Sequence, residues 1–251
     1  TASATGAMTL TSTGGSVIGN GALTSGGNFT ANGKTGVTLT TLSAGGSANL
    51  TSSNGSVGAS GAVGAGGNFA ASGANGVGFG SLTSGGTTSL TSSNGTINVS
   101  NLGSAGLVTA VGQVVTLSST GALSFANAQA TAGGLQVTST GKLQFAQASA
   151  TGAIGITSSA GSLTATGPIT AGGAVDLSGA SGIGLGSLTS GGTTLLDGGA
   201  GALTVIDLIS PGAVTATARS LDIGSTGGLT FTSLTATGGG ARVATAGDLT
   251  L

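Results

Sequence analysis

Several residue types that support common protein functions are missing from this chain. It has no cysteine, histidine, tryptophan or tyrosine, and only two prolines in 251 residues. Without cysteine and histidine, a disulfide framework is excluded and the usual zinc ligands are absent. The scarcity of proline also excludes collagen, although the chain has 54 glycines, because collagen needs glycine at every third position together with abundant proline.

Charged side chains are also scarce. Four basic and five acidic side chains give a net charge of −1. Phosphate binding needs clustered lysine and arginine, so we expect no nucleic acid partner. No uninterrupted apolar run reaches the roughly 18 residues of a membrane-spanning helix, so we expect no membrane span. Residues Thr1–Gly6 show neither the basic start nor the apolar core of a signal peptide.

Apolar residues, by contrast, are plentiful and regularly placed. They make up 38% of the chain, whereas disordered chains are poor in apolar residues. A glycine followed by a short alternating run recurs at intervals of 18 to 28 residues. The landmark glycines are Gly6, Gly27, Gly46, Gly67, Gly86, Gly106, Gly134, Gly152, Gly173, Gly192, Gly212 and Gly240.

A second, longer period overlies the first. The segment NGVGFGSLTSGGTT (Asn75–Thr88) returns as SGIGLGSLTSGGTT (Ser181–Thr194), 106 residues later. Residues 42–145 align with residues 148–251 without any gap. We therefore interpret residues 1–251 as a single repetitive segment, in which about two coils precede two blocks with a 106-residue period.

Within each coil, apolar residues alternate with polar ones. A period of two places apolar side chains on one face of short strands, and the intervening glycine, asparagine and serine favour turns. We predict that one set of side chains points inward: Val77, Phe79, Leu82, Leu90, Ile97, Val99 and Leu102, with their counterparts Ile183, Leu185, Leu188, Leu196, Leu203, Val205 and Leu208. The pair Phe69 and Ala71 exchanges large and small with Val175 and Leu177.

Two of the landmark intervals are longer, at 28 residues each. The segment Gly106–Phe125 and its counterpart Gly212–Phe231 insert about eight residues of further alternation. We interpret this unit as a coil with either one extended strand or one additional strand.

Strands of four or five residues are not stable alone, but coils of about 20 residues can stack on one another. The sequence therefore predicts an all-β parallel β-solenoid of about 12 coils.

The coils resemble the haemagglutinin repeats of filamentous haemagglutinin-type adhesins, which bacteria export by two-partner secretion. The matching segments are LTSGGTTSLTSSNGTINVSN (Leu82–Asn101) and AGGLQVTSTGKLQFAQA (Ala132–Ala148). The resemblance implies a right-handed parallel β-helix at the bacterial surface or outside the cell, with a role in adhesion and biofilm. It also suggests host or cell-surface glycans as candidate partners. The charge content is lower than is usual for such adhesins, which leaves a dedicated structural fibre open as well.

Residues that could carry catalysis are few. The carboxylates are Asp176, Asp197, Asp207, Asp222 and Asp248, and none of their counterparts in the earlier block (Ala70, Thr91, Asn101, Thr116 and Lys142) is acidic. A carbohydrate-active enzyme on a β-helix scaffold is one alternative, and Asp176 and Asp197 are the one pair placed to serve it on adjacent coils. We expect both to be solvated side chains on an outer face, as we do for Lys34, Arg219 and Asp222. We therefore predict no catalytic, cofactor or metal site and no enzyme.

Two further expectations concern the surface and the ends. Thr83, Thr87 and Thr88 reappear as Thr189, Thr193 and Thr194, and outward threonine arrays of this kind make an ice-binding solenoid a second alternative. The alternating pattern runs up to Leu251 in GDLTL (Gly247–Leu251). We therefore expect self-association end to end, or continuation into a longer array of repeats.

Overall fold

The computed structural model describes all 251 residues as an all-β protein. The chain forms 29 strands and no helix, so no helix is present that could cross a membrane. It divides into two compact units, Thr1–Ser119 and Thr120–Leu251. Every strand pairing recorded within each unit is parallel, so the predicted all-β class with parallel pairing is confirmed.

Unit 1 (residues 1–119) consists of two parallel sheets. The first has the order β1-β3-β5-β7-β9-β11-β14, with β12 beside β9, and the second has the order β2-β4-β6-β8-β10-β13. The strands are β1 (Ala2–Ala4), β2 (Met8–Ser12), β3 (Ser16–Ser25), β4 (Phe29–Gly33), β5 (Gly36–Ala44), β6 (Ala48–Ser52), β7 (Ser56–Ala65), β8 (Phe69–Gly73), β9 (Gly76–Ser84), β10 (Thr88–Ser92), β11 (Thr96–Val99), β12 (Leu102–Ser104), β13 (Val108–Gly112) and β14 (Val114–Ser119).

Unit 2 (residues 120–251) is built in the same way. One sheet has the order β16-β19-β21-β23-β25-β27-β29, and the other has the order β15-β17-β20-β22-β24-β26-β28, with β18 between β15 and β20. The strands are β15 (Leu123–Ala130), β16 (Leu135–Ser139), β17 (Leu143–Phe145), β18 (Ala148–Ala150), β19 (Ile154–Ser158), β20 (Leu163–Ala171), β21 (Val175–Gly179), β22 (Ile183–Ser190), β23 (Thr194–Asp197), β24 (Ala202–Ile209), β25 (Val214–Ala218), β26 (Ser220–Ser225), β27 (Leu229–Ala236), β28 (Ala241–Thr245) and β29 (Leu249–Thr250).

Each coil contributes one stretch of strand to each sheet of its unit, and the next coil pairs directly above it. Val57 lies opposite Val77 in unit 1, and Ile183 lies opposite Leu203 in unit 2, which is a step of 20 residues in both cases. The chain contains about 12 such coils, so the predicted parallel β-solenoid is confirmed.

The interior consists of the apolar side chains that alternation predicts. All fourteen side chains of the predicted inward set are at most 3% exposed, and so are Phe69, Ala71, Val175 and Leu177. All six phenylalanines are also buried. Four of them pack in pairs of defined ring geometry: the rings of Phe69 and Phe79 meet edge to face at 5.4 Å, and those of Phe125 and Phe145 stack at 4.7 Å.

Small residues line the corner at which each coil turns from a long strand to the next short one. Ala44, Ala65 and Ser84 lie opposite one another at this corner in successive coils. The Ser84 hydroxyl lies 3.0 to 3.2 Å from the carbonyl oxygens of Gly67, Gly86 and Thr87, and Ser190 makes the equivalent contacts in unit 2. The corner thus accepts serine or alanine, and serine ties the turn to the coil below it.

The long landmark intervals contain one additional strand. Between Gly192 and Gly212 the chain forms two strands, β23 and β24, but between Gly212 and Gly240 it forms three, β25, β26 and β27. Because β25 pairs with β27 while β26 pairs with β24, the interval adds half a coil. After it, the eight-residue strand β27 lies in the sheet that held the short strands β21, β23 and β25. The interval from Gly106 to Gly134 likewise contains three strands, β13, β14 and β15.

Candidate functional site

The carboxylates do not form a site. Asp176 on β21 and Asp197 on β23 lie on neighbouring strands, as expected from their spacing, but they are not opposite each other. The register places Asp176 opposite Leu195 and Asp197 opposite Ser178, so the two carboxylates are offset by two residues. Both side chains are exposed, and Asp197 accepts a hydrogen bond of 3.0 Å from the Gly199 N–H, which stabilises the turn that follows β23.

The other charged groups form local hydrogen bonds or an ion pair, or are exposed to solvent. Asp207 accepts hydrogen bonds from the Thr226 N–H at 2.9 Å and the Thr226 hydroxyl at 3.1 Å. Asp222 forms an ion pair of 2.8 Å with Arg242, and the side chains are 53% and 70% exposed, respectively. Arg219 and Lys34 are exposed, as expected. The chain has no group of three or more acidic, histidine or cysteine side chains that could hold a metal ion.

The threonines expected on the outer face divide into two groups. Thr83, Thr87 and Thr193 are exposed and Thr189 is half-buried. The expectation was wrong for Thr88 and Thr194, which are each only 1% exposed. Their hydroxyls form hydrogen bonds of 2.9 Å with the hydroxyls of Ser104 and Ser210, respectively. A buried threonine is therefore tolerated at the start of these strands, because a corner serine of the next coil satisfies its hydroxyl.

A feature that the repeat analysis did not identify is the grouping of the glutamines. All five glutamines of the chain lie between Gln113 and Gln147. In unit 2, Gln129 and Gln147 join Asn127 in lining an open cleft of about 250 Å³, together with Ala148, Ser149, Pro168 and Thr170. We call this set of seven residues the amide cleft. A count of residue types along the sequence could have located it, since neither neighbouring region contains a glutamine.

The strand geometry explains why these side chains meet. Gln129 on β15 lies opposite Ser149 on β18, and Ser149 lies opposite Thr170 on β20. Gln147 precedes β18, and its carbonyl accepts a hydrogen bond of 3.2 Å from the Ala128 N–H. The three coils thus place two amides, two hydroxyls and the Pro168 ring around the buried Ala148, with Asn127 beside them.

The carboxamides of the amide cleft have no hydrogen-bond partner among the other side chains. No side-chain hydrogen bond joins Asn127, Gln129 or Gln147 to another part of the chain, and none of the three side chains is buried. A carboxamide can donate two hydrogen bonds and accept two. The cleft therefore presents several unpaired donors and acceptors, and no charged residue is among those that line it.

Comparison with known proteins identifies no relative of this chain. The chain matches no protein-family model, no curated protein and no solved structure. What is established is the class of fold, a parallel β-solenoid built from repeated coils.

Proposed function

We propose that this chain is a structural repeat region of an extracellular bacterial adhesin or matrix fibre, located outside the cell or at its surface. The observation that carries it is the uniformity of the coil. Both units repeat one geometry, with an apolar interior and an exterior that carries few charges, and the carboxylates are not gathered into one site. Such a chain forms a long repetitive scaffold without clustered reactive side chains, and this suits a fibre or stalk better than a catalyst.

The resemblance to filamentous haemagglutinin-type repeats is compatible with the observed strands. The segment Leu82–Asn101 covers the last residues of β9 together with β10 and β11. The segment Ala132–Ala148 contains β16 and β17. In both segments a glycine turn leads into a strand whose apolar residues are buried: Leu90 in the first, and Leu135 and Val137 in the second. The resemblance to this family supports attachment to surfaces and biofilm formation as the role. End-to-end association between copies stays a prediction, and sedimentation velocity at increasing concentration tests it.

Surface display on bacterial cells tests the adhesive role. Cells carrying the chain on an unrelated anchor should attach to abiotic and host-cell surfaces and form more biofilm than cells carrying the anchor alone. The variant Ile97→Asp, which disrupts the buried interior, should lose this gain, whereas Asn98→Asp on the exposed side of the same strand should keep it. Equal attachment with and without the chain would contradict the role. So would turnover of a polysaccharide that the variant Asp176→Asn abolishes, because that result would indicate an enzyme.

A further inference from the structure

We propose that the amide cleft of unit 2 is a binding site for a neutral carbohydrate chain. Its place in biology, as the adhesive contact of a surface repeat, rests on the proposed function, but the binding itself rests only on the geometry of the cleft. The residues that would contact the sugar are Gln129, Gln147 and Asn127 through their carboxamides, Ser149 and Thr170 through their hydroxyls, and Pro168 through its ring.

The amides are not required by the fold. The residues 106 positions away from Asn127 and Gln129 are Ser233 and Thr235, and the residue 106 positions before Gln147 is Thr41. Residues that maintain the coil, such as the buried Leu185 and its counterpart Phe79, keep their apolar character between blocks. The carboxamides break the repeat outside the apolar interior, where Asn127 and Gln129 are half-buried and Gln147 is exposed, so their presence calls for a reason other than folding.

A long stacked ladder of amides does not account for these residues either. Asparagine and glutamine stabilise stacked strands when identical amides lie opposite one another in a ladder. Here Gln129 faces Ser149, and Ser149 faces Thr170, so Gln129 has no amide opposite it. Asn127 and Gln147 directly precede the paired Ala128 and Ala148 and are the one amide pair on neighbouring strands. Pro168 precedes the next partner, Ile169, so no ladder extends beyond that pair.

The chemistry of the cleft favours a neutral sugar over other ligands. Carboxamides and hydroxyls both donate and accept hydrogen bonds, which matches the hydroxyl groups of a sugar, while Pro168 and Ala148 offer apolar surface to its C–H groups. Nucleic acid and anionic polysaccharides need cations, and none lines the cleft. A peptide that adds as a strand needs an unpaired edge, but β18 is already paired on both sides, with β15 and β20.

Affinity electrophoresis of the whole chain tests the assignment. Native gels would contain dextran, mannan, xylan or mixed-linkage β-glucan as neutral probes, with alginate and heparin as anionic ones. At least one neutral polysaccharide should retard the chain. The double variant Gln129→Ala with Gln147→Ala should weaken the binding about 5- to 150-fold, since the loss of two hydrogen bonds is on the order of 1–3 kcal/mol.

The control is a double variant that removes the same number of glutamines outside the cleft. Gln136 lies on β16, in the other sheet, and Gln144 lies on β17 near Ser124. Replacing both with alanine should leave the retardation unchanged, and both double variants should melt at the temperature of the original chain.

The assignment is overturned if no neutral polysaccharide retards the chain, if only alginate or heparin does, or if both double variants weaken binding equally. If a neutral polysaccharide retards the chain but surface display confers no attachment, the adhesin role is contradicted and the binding site in the amide cleft is not.

Discussion

At the scale of single residues, the solenoid depends on where a Cβ atom fits between coils. A Cβ placed on Gly95 would lie 2.2 Å from the Asn75 carbonyl oxygen, and a Cβ on its counterpart Gly201 would lie 2.2 Å from that of Ser181. The Gly95 N–H also donates a hydrogen bond of 3.1 Å to the Ser92 hydroxyl. Glycine therefore recurs in both blocks because the backbones of successive coils approach closely at this turn.

A pair of glycine substitutions tests this explanation. Gly95→Ala should destabilise the fold by about 1–3 kcal/mol, the usual cost of an overpacked site. Gly78 lies on β9, and a Cβ placed there meets nothing within 4 Å. Gly78→Ala should therefore stabilise the fold by roughly 0.5–1 kcal/mol, because alanine loses less conformational entropy on folding. Denaturant unfolding measures both values, and a destabilised Gly78→Ala variant would show that glycines with open space around them have an additional role.

The two faces of one strand provide a second test. Ile97 is completely buried, and Asn98 beside it is exposed. Ile97→Asp should destabilise the fold by more than about 4 kcal/mol, because an unpaired carboxylate would lie in an apolar interior. Asn98→Asp should stay within about 0.5 kcal/mol of the original chain. Thermal unfolding followed by circular dichroism distinguishes them, and similar melting temperatures would mean that the assigned faces are reversed.

At the scale of strands and turns, the sequence predicts the interior better than the turns. Alternation identified every member of the inward set, because a period of two is maintained wherever one face of a strand is buried. It could not decide between an extended and an additional strand after Gly212, since alternation alone does not reveal where the chain turns. It also misplaced Thr88 and Thr194, whose hydroxyls are satisfied by corner serines that lie 16 residues away.

The corner position offers a test at this scale. Ser84→Ala should cost about 1 kcal/mol, because it removes the hydroxyl that contacts three carbonyl groups, and Ala65 shows that the preceding coil turns without one. Ser84→Val adds volume to a position that is only 6% exposed, so it should cost about 1–3 kcal/mol beyond the alanine variant. Urea titrations of the three chains measure the order of stability. A valine variant as stable as the alanine variant would show that the corner has room for larger side chains.

At the scale of the whole molecule, neutrality is the main property of the surface. Unit 1 has a single charged side chain, Lys34, and all five carboxylates lie in unit 2. The composition predicted this sparsely charged exterior, but repeats and composition did not predict the amide cleft. Its residues Gln129 and Gln147 are about one coil apart and meet because β15, β18 and β20 lie side by side. An alignment of the repeats shows that the amides depart from the repeat, but it does not show that they line one cleft.

The neutral surface leads to a prediction about ionic strength. The one ion pair, Asp222 with Arg242, is exposed, and exposed pairs contribute about 0–1 kcal/mol and are screened by salt. For a chain of this size, a loss of about 1 kcal/mol lowers the melting temperature by about 2–4 °C. Raising sodium chloride from roughly 0.05 M to 0.5 M, at which the Debye length shrinks to a few ångströms, should therefore shift the melting temperature by no more than about 4 °C. Differential scanning calorimetry measures the shift, and Asp222→Asn, which removes the pair, should reduce it further. A fall of more than about 10 °C, several kcal/mol by the same conversion, would mean that charge interactions stabilise this solenoid far more than its apolar interior implies.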